Sequence, residues 1–159
     1  MGYRSDVAIV ATVLKSQGWD NKKQQPIYLA ESYRQEKFKW FLGMLKLKDY
    51  EFLRQGEDSW CSHGWGEGIF FLQLNHVKYY ESYPEIKEIE GLWQWLGGLD
   101  FPFAAKFIRV GEDYDDIEVR TNDHGDQIDM WPEVRINDAG YEDILNLRSS
   151  SIKGEELCL

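Results

Sequence analysis

The densest cluster of groups able to do chemistry is the run Glu112-Asp113-Tyr114-Asp115-Asp116-Ile117-Glu118. Clustered carboxylates bind hard cations when their spacing allows convergence. A calcium loop of the EF-hand type needs oxygens at positions 1, 3 and 5, glycine at 6 and glutamate at 12. Counted from Asp113, Asp115 fills position 3, but Ile117 and Glu118 stand at positions 5 and 6. The run is therefore not such a loop. Asp123, Asp126 and Asp129 recur every third residue and match no metal loop either. No metal ligand is assigned. The run remains a hairpin turn rimmed by solvated carboxylates, an acidic face for a protein partner, or a cation site of another geometry.

Cys61, Ser62 and His63 put a thiol two residues from an imidazole. A cysteine nucleophile needs a base within hydrogen-bond reach, but such partners are usually distant in sequence. Zinc would need two further ligands, and neither His76 nor Cys158 lies at a usual spacing. The expectation is a loop with an incidental thiol. His76 is expected on the strand face shared by Phe70, Leu72 and Leu74, at the edge of the core. His124 lies beside Asp123 and Asp126, which favours an imidazolium in a surface ion pair. Gly64, Gly66 and Gly68 precede a strand rather than a helix, so the stretch lacks the dipole of an anion site. No nucleophile elbow or phosphate-cradling loop occurs. An enzyme would have to use His63, His76 or the carboxylates around Asp115. No catalytic residue and no cofactor is assigned.

Seven tryptophans remain to be placed. Trp19, Trp60, Trp65 and Trp131 fall in expected loops or at strand ends. They either fold back over the core or anchor a protein contact, where tryptophan is enriched. The candidate partner-binding set is Glu112, Asp113, Asp115, Asp116 and Glu118 with Trp65 and Trp131.

The elements that must position these groups follow from hydrophobic period. Residues 3–14 alternate with apolar side chains on both faces, as a central strand does. Residues 16–26 are polar and read as a loop. Residues 31–46 carry Phe38, Phe41, Leu42 and Leu45 at helical spacing. Residues 50–60 read as a weak strand and 68–79 as a strong one, with a turn at 62–66. A second helix starts at Pro84, with Glu85 and Glu88 complementing its dipole, and stops at Gly97 and Gly98, where a left-handed glycine cap is expected. Strands follow at 103–110 and 117–121, a turn-rich acidic stretch begins near Asn122, and a short helix is expected at 141–147. The order β-α-β-β-α-β predicts an α+β, ferredoxin-like antiparallel sheet with two helices on one face, plus an extra C-terminal strand and an acidic tail. Residues 1–148 read as one domain and 149–159 as a frayed tail. This architecture hosts many unrelated activities.

Composition sets the class. The 159 residues are 43% hydrophobic and 15% aromatic, enough to build a core. No apolar run reaches the roughly 20 residues of a membrane helix, and no signal peptide is expected. Two cysteines are too few for a disulfide framework, so a cytoplasmic, reducing location is expected. The net charge of −10 is concentrated: residues 100–143 hold 4 basic and 13 acidic groups, against 12 and 13 in residues 1–99. Such a chain repels phosphate, so direct nucleic-acid binding is disfavoured, and without a long apolar run no membrane partner is expected.

Three islands carry a resemblance: the opening Met1-Gly2-Tyr3-Arg4-Ser5-Asp6-Val7, the stretch from Val77 to Pro84, and the stretch from Ile108 to Glu118. Together they resemble small accessory proteins of tailed bacteriophages. That resemblance brings no catalytic activity with it. It implies action inside an infected bacterium, on host machinery such as a restriction or CRISPR defence; the acids, as a contact surface, would mimic nucleic-acid phosphates or meet a basic patch on that host protein.

Overall fold

The computed structural model describes residues 3–54, 61–113 and 115–128. Trp60, Tyr114, Asp129, Trp131, Cys158, the expected helix at 141–147 and the expected tail at 149–159 lie outside the described residues.

The chain forms a mixed α+β fold. Strand β1 (Ser5–Val13) is followed by β2 (Ser16–Asp20), β3 (Gln25–Tyr28), helix α1 (Glu31–Lys48), short helix α2 (Glu51–Arg54), β4 (Cys61–Gly66) and β5 (Ile69–Val77). Helix α3 (Pro84–Gly97), β6 (Phe103–Gly111), β7 (Ile117–Thr121) and a single 3-10 turn at Gly125–Gln127 complete it. A five-stranded antiparallel sheet has the order β4-β5-β1-β6-β7, while β2 and β3 form a separate two-stranded sheet.

Strand β1 occupies the centre, as its two apolar faces require. It pairs with β5 on one side and β6 on the other. Val7, Ile9, Ala11 and Val13 face a core shared with Phe41 and Leu45 of α1 and Ile89, Trp93 and Leu96 of α3, so both long helices cover the same face. Ala8 and Val10 face a second, smaller cluster with Ile69, Ala104, Ile108, Val110 and Ile128. Helix α3 opens on Pro84 with Glu85 in its first turn, and closes on Gly98 in right-handed geometry (φ −94°) rather than as a left-handed cap. Gly97 instead lies against the Trp93 ring, which a Cβ there would approach to 3.3 Å.

Four further expectations change. Residues 16–26 are not a loop: most of them belong to a β-hairpin, stabilised at its turn by Asp20 Oδ1, which accepts the Lys22 and Lys23 amides at 2.9 and 3.2 Å. Residues 51–54 are a helix rather than a strand; its Glu51 and Phe52 amides donate to the Glu88 carboxylate at 2.9 and 3.1 Å. Residues 62–66 are strand β4 rather than a turn, because Gly64 lies opposite Phe71 and leaves room for its ring. The actual turn is Glu67 and Gly68, both at positive φ. Finally, His76 leaves the core face. The β1–β5 register steps two residues from Ser5 to Val7 while β5 steps three from Val77 to Leu74. This bulge holds His76 at φ 55° with its ring exposed.

Candidate functional site

The start of β1, the end of β5 and the end of β6 meet at one end of the sheet, because Ser5 pairs with both Val77 and Gly111. The three sequence islands therefore converge there, and hydrogen bonds link them. The Tyr3 amide donates to the Tyr80 hydroxyl at 2.9 Å. The Tyr3 hydroxyl donates to Asp116 Oδ2 at 2.6 Å and accepts from the Asp113 amide at 2.9 Å. The Arg4 amide donates to Glu112 Oε1 at 2.6 Å, and Arg4 Nη1 donates to the His76 carbonyl at 3.0 Å. The His76 amide donates to Asp6 Oδ1 at 2.7 Å. Gly111 is required in this arrangement, since a Cβ on it would run into Asp116 and the Tyr3 ring.

The acidic run divides in two. Asp116 and Glu118 turn inward. Arg109 holds Asp116 at 2.8 Å and Glu118 at 3.1 Å, and also donates to Ser5 Oγ at 3.1 Å. Arg120 holds Glu118 and Glu90, both at 2.8 Å, with its guanidinium 4.2 Å above the Phe107 ring. The Tyr79 hydroxyl completes the chain by donating to Glu90 at 2.7 Å. Glu112, Asp113 and Asp115, by contrast, are exposed on the β6–β7 turn.

The electrostatics follow from these contacts. Burial pushes the Glu118 carboxyl up, but hydrogen bonds from Arg120 and Arg109 outweigh it and leave the group below its ordinary value. Burial likewise pulls Arg120 down, and its bonds to Glu118 and Glu90 reverse the direction. Bonding to Asp116 raises Arg109. Burial, followed by donation to Asp116, pushes the Tyr3 hydroxyl up. Burial and the bond to Glu90 do the same to Tyr79. Each arginine is thereby fixed as a cation and each bonded tyrosine as a donor.

Across Arg4 from the turn, between α2, the end of β5 and the start of α3, lies a cleft of about 570 Å³. Its floor is apolar, with buried Phe52, Val77 and Ile86, and Arg4, Lys78 and Glu85 are among the residues around it.

The other candidates lie elsewhere. Trp65 is on edge strand β4, 47% exposed, with His63 stacked on it at 6.4 Å. Both His63 ring nitrogens are buried without a hydrogen-bond partner among the described residues. The Cys61 side chain is buried in the main core. His63 is on edge strand β4 and Asp115 on the turn leading into the opposite edge strand β7, and four strand spacings alone separate those edges by about 19 Å. His63 and Asp115 therefore do not belong to one site. Among the described residues no three His, Cys, Asp or Glu side chains gather to hold a metal, and no helix is long and apolar enough to cross a membrane.

The sequence reading singled out the acids and missed their partners Tyr3, Arg109 and Arg120. One signal was available: a hairpin closed around residues 112–116 sets Arg109 directly opposite Glu118, an opposite-charge cross-strand pair. Comparison with protein-family models, curated proteins and solved structures finds no match.

Proposed function

We propose that this chain is a non-enzymatic protein-binding module that presents its β6–β7 turn to a basic surface on a partner. One observation carries this reading: the three islands that resemble phage accessory proteins are hydrogen-bonded into a single surface. Tyr3 and Arg4 hold the turn's backbone and side chains, so Glu112, Asp113 and Asp115 are presented without a large ordering cost on binding. The arginine pairs of Asp116 and Glu118 make those two acids supports of the turn rather than contact groups. The adjoining apolar-floored cleft suits an anchoring side chain from the partner, the usual core of a protein contact. Trp65 lies on the far edge strand, apart from this surface, and Trp131 lies outside the described residues.

The resemblance to phage proteins makes the partner a host bacterial protein in the cytoplasm, and a nuclease or effector of a restriction or CRISPR defence has the basic surface required. The strand order β4-β5-β1-β6 beneath two helices supports a ferredoxin-like architecture, with β7 and the β2–β3 hairpin as additions.

The test is comparative capture from a bacterial lysate on immobilised protein. Wild type retains a protein that the Glu112→Gln, Asp113→Asn, Asp115→Asn variant loses. A control with the same change in charge elsewhere, Asp100→Asn, Asp123→Asn, Asp126→Asn, retains it. Equal loss in both variants would reduce the effect to net charge and refute the assignment.

A further inference from the structure

The β2–β3 hairpin is an arm without a core of its own. Among its strand residues none is buried, and Trp19 is 54% and Tyr28 50% exposed. Trp19 pairs across the hairpin with Pro26, and Tyr28 follows on the same face. Lys22 and Lys23 sit at the tip, where Asp20 fixes the turn backbone. An isolated two-stranded hairpin is marginal in water. Exposed aromatics are enriched at the centre of contact surfaces, and the lysines at the tip suit a polar rim around them.

The same molecule carries a surface of complementary charge. Glu112, Asp113 and Asp115 are exposed at the β6–β7 turn, and beside them Ile117 and Val119 are each 40% exposed on β7. The two surfaces cannot meet within one chain. The arm follows the end of β1 and the acidic turn adjoins its start, so the nine-residue strand separates them by about 30 Å.

We infer that the arm of one copy docks on the β6–β7 turn of a second copy. Lys22 and Lys23 meet Glu112, Asp113 and Asp115, while Trp19 and Tyr28 cover Ile117 and Val119. The inference rests on the reading of that turn as a protein-binding surface and names one of its occupants. Self-association of this kind competes with any other basic partner for the same acids. The contact joins two different patches, so it closes as a reciprocal pair of arms or continues head to tail.

Sedimentation velocity across a concentration series at low ionic strength tests it. Wild type is expected to self-associate, and added salt to reverse it. Lys22→Glu with Lys23→Glu, and separately Glu112→Lys with Asp113→Lys and Asp115→Lys, each weaken association by about tenfold or more. An equimolar mixture of the two variants restores it, because each then offers the other an opposite charge; this recovery also shows that both are folded. Trp19→Ala weakens association without changing the net charge. Monomeric wild type at every concentration would overturn the inference. So would association that survives both charge reversals, a mixture that stays dissociated, or binding of a single-stranded oligonucleotide by the arm of the monomer. A monomeric chain whose three-amide variant still loses the captured host protein would eliminate the second copy as occupant and leave the proposed function intact.

Discussion

Gly111 shows how much one position can decide. It ends β6 where the Tyr3 ring and the Asp116 carboxylate close over the backbone, and any side chain would displace both. Gly111→Ala should lower stability by about 1–3 kcal/mol, the usual range for overpacking, with partner binding falling as well. Denaturant titration and the capture assay would read the two effects. Asn122 has a comparable role at the other end of β6. Its amide nitrogen donates to the Leu99 and Phe103 carbonyls, and its oxygen accepts from the Ala105 and His124 amides. Asn122→Ala leaves several buried backbone groups unpaired and should cost about 2–4 kcal/mol. Glu118 sets a pH dependence. Its folded pKa lies below the ordinary 4.5, so its contribution to stability is present above that value and is lost as pH falls through the lower, folded one. Glu118→Gln should therefore lower the melting temperature near neutrality and flatten its fall in acid.

At the scale of elements, the most legible parts were those whose hydrophobic period is complete. Strand β1 has apolar residues on both faces and lies at the sheet centre. Helix α3 has Ile86, Ile89, Trp93 and Leu96 on one face, and all are buried. Trp93→Ala should cost about 3–5 kcal/mol in denaturant titration, since its ring packs on Phe107 in the main core. Strand β4 was hidden because Gly64 and Gly66 interrupt the apolar alternation; the sheet uses Gly64 to seat Phe71. The β2–β3 hairpin was hidden because it buries nothing and so carries no hydrophobic pattern. His76 was misplaced because a bulge inserts one residue, and a one-residue slip turns a side chain to the other face. The acidic run was legible as a cluster, but its division into held and presented acids was not. That division depends on Arg109 and Arg120, which hold Asp116 and Glu118, and on Tyr3, which the pairing of β1 with β6 brings to Asp116 from more than a hundred residues away.

At the scale of the molecule, charge is arranged rather than merely abundant. Residues 15–48 hold eight basic and three acidic groups, whereas residues 100–143 hold 4 and 13. The acidic excess within the described residues is partly neutralised in the Arg109 and Arg120 pairs, so steering falls to the acids left exposed. Screening over a Debye length of about 8 Å limits that steering to charges close to the contact. The most direct test is the association rate constant with the captured host protein, measured against ionic strength for wild type and for the Glu112→Gln, Asp113→Asn, Asp115→Asn variant. The account predicts a slower rate at low salt and a distinctly shallower salt dependence for the variant, with the two rates converging at high salt. Parallel salt dependences with equal rates would contradict it.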